Sequence, residues 1–198
     1  MTASDAFAVK PTLVGQRVVL RPFRPDDVEA MGAVLADPDV LRLTGSVTTT
    51  AEIEAAVPEL DDRTRRWYSS RAAQADRLDL AIVDRASGRC VGEVVLNELR
   101  PEQDACNLRI LVGPEGRDRG LGSEAVRLVL DHAFATTDLH RISLDVQADN
   151  VRARRAYAGA GFRVEGLLRD EHTFDGVRSD TVLMAVLRTD REAAAAEG

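Results

Sequence analysis

The stretch that most narrows what this chain can fold into runs from Ala105 to Phe134. "ACNLRILV" alternates like a strand. "GRDRGLG" (Gly116–Gly122) is a loop of glycines and arginines. "SEAVRLVLDHAF" then puts Val126, Val129, Leu130, Ala133 and Phe134 on one helical stripe. A helix start offers unpaired N–H groups and the positive end of the peptide dipole, and glycine lets the backbone approach a ligand closely. The physical expectation is an anion site.

The rest of the chain supplies the frame. "RVVLRPF" (Arg17–Phe23) reads as a strand. Pro25 opens a helix with Asp26 and Asp27 in its first turn, continuing toward Pro38. A second helical region follows, with Thr50 as a candidate N-cap and Pro58 as a break. Leu78–Asp84 and Cys90–Leu99 read as a hairpin, and Ala105–Val112 as the next strand. Beyond the loop and helix, Arg141–Ala148 alternates. A short helix then starts at Asn150, carries Ala153, Ala156, Tyr157 and Ala160 on one face, and closes at Gly161. Two last strands flank the turn Asp175–Gly176. This order predicts one mixed α/β domain of about seven strands over residues 13–188, with residues 1–12 and 189–198 as flexible ends.

Net charge of −7 argues against broad nucleic-acid binding, so any anion site must be a local gathering of arginines. No apolar run is long enough to span a membrane, and "MTASDAFAVK" lacks the features of a signal peptide. Cys90 and Cys106 have neither metal spacing nor a disulfide framework. These features predict a cytoplasmic protein without a metal.

Several motifs admit two readings. "GLGSEA" (Gly120–Ala125) fits the glycine pattern of a dinucleotide site, but the polar stretch Gly113–Arg119 separates it from the strand end, and no Walker lysine is present. Arg117 and Arg119 serve equally well as solvated loop charges. Asn150 needs only its cap role. Tyr157 fits a core position on an apolar helical face.

Two motifs in order shift these readings together. Arg117, Gly120 and Gly122 fill R-x-x-G-x-G, and "NVRARRAYAGAGF" supplies Asn150, Ala153, Tyr157, Gly161 and Phe162 at the matching spacing. The pair resembles the GNAT superfamily of N-acetyltransferases. The opening "LRPFRPDDVEAMGAVLADPDVLR" and the closing hairpin resemble its RimJ/RimL-type branch. The resemblance implies a GNAT-like mixed central sheet with helices on both faces. It implies acetyl-CoA as co-substrate and an amine acceptor, on a small molecule or a protein N-terminus. It also implies a homodimer. A non-catalytic acyl-CoA-binding regulator and a nucleotide-binding module stay open as alternatives.

The resemblance further implies that Ala105–Val112 splays from Arg141–Ala148 to admit pantetheine. Leu111, Val112, Arg117, Asp118, Arg119, Gly120, Leu121, Gly122, Ser123, Asn150, Arg155 and Tyr157 would then hold the cofactor. The family's usual lysine position is Gly159, so a neighbouring arginine must replace it. Tyr157 would be the general acid, since a phenol stays protonated at neutral pH. For the base, the family's strand glutamate falls at Asp104 or Asn107. Glu93, expected to share a strand face with Val91, Val95 and Asn97, is the alternative, with His172 and a water relay behind it. Asp170, Glu171, Asp175 and Asp180 could draw a cationic acceptor to the closing hairpin, or be ordinary surface charge.

Overall fold

The computed structural model describes residues 7–196. One sheet holds all eight strands: β1 (Leu13–Val14), β2 (Val18–Arg21), β3 (Leu78–Asp84), β4 (Cys90–Arg100), β5 (Ala105–Val112), β6 (Arg141–Gln147), β7 (Arg163–Phe174) and β8 (Val177–Leu187). Their order across the sheet is β1-β2-β3-β4-β5-β6-β8-β7. Every neighbouring pair is antiparallel except β5 and β6. Seven of these strands follow from alternation in the sequence. The eighth, β1, has only two residues and no period to read.

Helices cover both faces. On one side lies α5 (Leu121–Thr136), whose stripe packs on Val94, Leu96, Cys106 and Leu108 with Tyr157 of α6 (Val151–Ala158) in the same core. On the other, α1 (Pro25–Leu35), α2 (Pro38–Leu43) and α4 (Asp62–Ser70) bury Val28, Met31, Val34, Val40 and Tyr68 around Leu111. The second helical region divides at Pro58, as expected, into α3 (Thr50–Glu54) and α4. Its cap is Thr49 rather than Thr50: the Thr49 hydroxyl accepts from the Glu52 N–H, and Glu52 reaches back to the Thr49 N–H. The Asp175–Gly176 turn has φ of 45° and 77°, the left-handed pair that a two-residue hairpin turn requires.

The ends depart from expectation within the described residues. Phe7 is fully buried in the core, and Arg188–Ala196 forms α7. Arg188 explains the second: its guanidinium donates to the carbonyls of Phe134, Thr137 and Leu139, tying the chain to the end of α5. The expected loose segments at 1–6 and 197–198 lie outside the described residues. Among the described residues no helix is long and apolar enough to cross a membrane.

Candidate active site

β5 and β6 pair only over Ala105–Asn107 and Arg141–Ser143. Beyond Asn107 the ladder ends and the strands part. A cavity of about 1100 Å³ fills the opening, lined by β5 from Asn107 to Val112 and by Asp145, Val146 and Gln147 of β6. The splay expected from the resemblance is therefore present, and it passes through the sheet between the two helical layers.

On the α5 side the cavity meets the start of that helix. Gly120 caps it at φ 74°, where a side chain is strained. A Cβ on Gly122 would sit 3.3 Å from Val112 Cγ2, so the helix start lies hard against the strand. The N–H groups of Asp118 through Ser123 find no acceptor among the described residues. Asp118, Gly120, Leu121, Gly122 and Ser123 all line the cavity. A row of free amides at the start of a 16-residue helix suits a pyrophosphate.

The loop arginines are placed differently from expectation. Arg117 lines the cavity, but its guanidinium donates to the Val112 carbonyl at 3.0 Å and pairs with Asp37 and Asp39. Arg119 turns away, onto Asp84 at 3.1 Å and the Glu115 carbonyl at 3.0 Å, and does not line the cavity. Both guanidinium groups are engaged with protein carboxylates and carbonyls, whereas the loop's backbone N–H groups are left free among the described residues. Arg155 lines the mouth, exposed and with no carboxylate partner among the described residues. Arg152 lines it too, 3.9 Å from Asp39.

Asn150 and Tyr157 come in from α6. Asn150 Oδ1 accepts from the Ala153 N–H at 3.1 Å, so its cap role is real, and the residue also lines the cavity. Tyr157 is buried, with its ring 5.8 Å from Phe162. Its hydroxyl has no hydrogen-bond partner among the described residues. Burial, helped by the Asp145 carboxylate, pushes the phenol above its ordinary value. A buried phenol with nothing to donate to, on the wall of a cavity, is available to a ligand.

The expected bases, Asp104 and Glu93, lie off the cavity wall. Asp104 sits at the closed end of the splay, where its carbonyl accepts from the N–H groups of His140 and Arg141, and it does not line the cavity. Glu93 does not line it either. It is fully buried, so it is not an outward-facing strand residue; it accepts from Arg109 Nη2 at 2.7 Å, with Tyr68 beside it, while Oε2 has no hydrogen-bond partner among the described residues. Burial raises its carboxyl above the usual range. Glu93 also does not share a face with Val91. Ile82 pairs with Gly92 and Val83 with Cys90, so Val91 bulges into the α5-side core. Asn107 does line the cavity, as does His172. Three carboxylates on the wall escaped the sequence reading: Asp39, which pairs with Arg117, and Asp145 and Glu98. Asp145 is the polar position in the alternation of β6, which was a usable signal; Glu98 has φ 51° in a strand irregularity that no pattern marks.

The acetyltransferase (GNAT) domain family matches residues 17–163. YjcK, a probable N-acetyltransferase of Bacillus subtilis, is 30% identical over 126 residues, 63% of this chain and 70% of that protein. A spermidine N(1)-acetyltransferase of Escherichia coli is 27% identical over 57% of this chain, a match that spans only 61% of that protein's length. Among solved structures, spermidine N-acetyltransferase from Vibrio cholerae in complex with CoA and spermine superposes with a TM-score of 0.75 at 21% identity, covering 89% of this chain and 98% of that one. That likeness shows the fold.

Proposed function

The chain belongs to the acetyltransferase (GNAT) family and is an acetyl-CoA-dependent acyltransferase, and from that premise we propose direct acetyl transfer to a primary amine. The observation that carries the proposal is the through-sheet cavity, with free helix-start amides at one end and the unpartnered Tyr157 hydroxyl on its wall. The diphosphate of the co-substrate would take the N–H groups from Asp118 to Ser123, with Arg155 beside them. The thioester arm would lie along the unpaired edge of β5 at Leu111 and Val112, close to Asn150.

In the reaction the amine nitrogen bonds to the acetyl carbon, the C–S bond breaks, the amine loses a proton and the departing sulfur gains one. Tyr157 supplies the sulfur's proton. For the amine's proton, Glu98, Asp145 and His172 line the cavity, whereas Glu93 and Asp104 do not. The proposal extends to the RimJ/RimL-type branch, on the strength of the opening and closing segments, and to a homodimer, which sedimentation at high micromolar concentration tests. Purified protein with acetyl-CoA and a panel of peptides, polyamines, amino acids and aminoglycosides should release free thiol with at least one amine. Tight acetyl-CoA binding without release for any amine would favour the non-catalytic regulator. A thermal shift with NAD or ATP but not acetyl-CoA would favour the nucleotide-binding module.

A further inference from the structure

Within β5 the side chains divide by parity. Leu108 belongs to the α5-side core, whereas Leu111 packs among α1, α2 and α4. Cross-strand pairs of an antiparallel ladder share a face, so Val95 with Arg109 and Asn97 with Asn107 stand with Leu111 on the second side. There the cavity ends in a chamber walled by Trp67, Arg77, Asn97, Glu98, Asn107 and Arg109. It lies across the sheet from the helix-start amides, where an acceptor would meet the thioester.

The charge in this chamber is unusual for a protein of net charge −7. The Arg71 guanidinium stacks 4.2 Å from the Trp67 ring centre, and Arg77 lies 5.5 Å from it. Arg77 is bidentate on Asp79, at 2.7 Å for both bonds. Arg109 is held through one Nη2 bond to Glu93. Its Nε–H is buried with no acceptor, and Nη1 has none among the described residues. Arg71 bonds only neutral groups: the Trp67 carbonyl, the Gln74 amide oxygen and the Ser70 hydroxyl. The three guanidinium groups share two buried carboxylates, with the exposed Asp76 near Arg71 and Arg77; Arg71 stands behind the cavity wall, and Arg109, on the wall, has donors to spare. The chamber's other carboxylate, Glu98, is exposed on the wall.

A polycation brings more positive charge to this place. An amine that carries its own carboxylate fits it: the anion meets Arg109 and Arg77, an apolar body lies on Trp67, and the nitrogen stays near the acid and amide groups of Asn97, Glu98 and Asn107. We propose that the acceptor is an amino acid or similar amine bearing a carboxylate, with an apolar side chain, and that Arg109 is its main anion contact. The proposal rests on the amine-transfer reading above and names the substrate class for it. The products are the N-acetyl amino acid and the free thiol.

Matched compounds test it. L-Phenylalanine and L-methionine are compared with their amides, with 2-phenylethylamine and with spermidine, by thiol release. The amides have the more readily deprotonated amine, so a preference for the acids cannot come from nucleophile protonation. The expected result is a kcat/KM for the acids about tenfold or more above the amides, the size of one charge-assisted contact. Amides, 2-phenylethylamine or spermidine used as well or better overturns the proposal and leaves amine transfer standing.

A binding arm runs without turnover. Trp67 is the single tryptophan, so its fluorescence reports on this chamber. N-acetyl-L-phenylalanine should bind the CoA-loaded protein about tenfold tighter than N-acetyl-2-phenylethylamine. If it does so while no amine releases thiol, amine transfer fails and the charge matching stands. Equal binding of the two overturns the proposal. Removing Arg109 alone strands a buried carboxylate, so the variant is the double Glu93→Gln/Arg109→Gln, which deletes both charges together. It should cut the acid-over-amide ratio about tenfold. An unchanged ratio overturns the role of Arg109.

Discussion

Arg117 of the glycine loop forms a partly buried ion pair with Asp37, the residue that caps α2 from 80 positions earlier in the chain. The same guanidinium holds the Val112 carbonyl at the end of β5. One side chain thus fastens the loop to a strand and to a helix of the opposite layer. We propose that it acts on a ligand through the shape of the loop. Arg117→Ala leaves Asp37 without its charge partner, and stability should fall by about 1–3 kcal/mol, less than for a fully buried pair that loses one member. Asp37→Asn keeps an acceptor for the Val40 N–H and removes only the charge. Asp37 does not line the cavity, so weaker acetyl-CoA binding in that variant would have to travel through Arg117. Calorimetric titration is expected to show a several-fold loss; unchanged affinity would mean that the loop keeps its form without the pair.

The loop glycines separate backbone strain from ligand access. At Gly120, φ is 74° and a Cβ would collide with Arg17 Nη1. Gly120→Val should cost about 1–2 kcal/mol from the left-handed conformation alone and weaken acetyl-CoA binding. At Gly122 the backbone is helical, and alanine is the better helix former. Its Cβ presses on Val112 at 3.3 Å, a contact that small shifts relieve. Gly122→Ala should therefore melt within a few degrees of the parent while losing affinity about tenfold, if the amides approach a pyrophosphate closely. Equal affinity in both variants would remove the loop from the binding site.

What the sequence made legible, and what it hid, divides by range. β3 and β5 begin and end where alternation does, and α6 starts at the asparagine that caps it, because period, cap and turn chemistry are local. The short helix α2 was hidden because its proline reads as the stop of α1 when it is the first residue of a new helix. The polar roles were hidden for a different reason. That Arg117 belongs to Asp37, Arg119 to Asp84 and Glu93 to Arg109 depends on which strands and loops meet. Glu93 looked like a free carboxylate on an alternating strand. The helical layer over its face, with Tyr68 of α4 beside it, and the arginine on the neighbouring strand made it a buried, paired one.

Asp84 should set part of the acid limb of stability. It is buried, accepts from the Ser87 hydroxyl at 2.8 Å and the Ala86 N–H at 3.1 Å, and pairs with Arg119. Those bonds, Ser87's foremost, hold its carboxyl below the usual range. A depressed carboxyl binds its proton less readily in the folded chain than in the unfolded one. Its stabilisation is then complete above the unfolded value near 4 and is lost as pH falls through the folded one. Asp84→Asn should lower stability by about 1–2 kcal/mol at pH 7, and the gap from the parent should shrink on acidification. Melts that stay parallel at every pH would assign the loss to packing instead of charge.

Tyr157→Phe separates a catalytic phenol from a core one. The ring packs on Phe162 and belongs to the main core, so phenylalanine keeps those contacts. Among the described residues the hydroxyl has no partner to strand, and its removal should leave the melting temperature within a degree or two. If the hydroxyl protonates the departing sulfur, kcat should fall about 10²-fold or more with little change in acetyl-CoA affinity. The raised phenol makes a second, independent expectation. Burial and Asp145 move its titration above its ordinary value of 10.0, so the proton stays in place across the whole neutral and mildly alkaline range. The rate should then rise with pH as the amine deprotonates and show no fall from loss of the acid below about pH 10. In Tyr157→Phe the same rising limb should persist at a lower level, because the amine still governs it. A variant that turns over at the parent rate would remove Tyr157 from the chemistry. A variant that melts several degrees lower with turnover per folded molecule intact would make it a structural residue on the cavity wall.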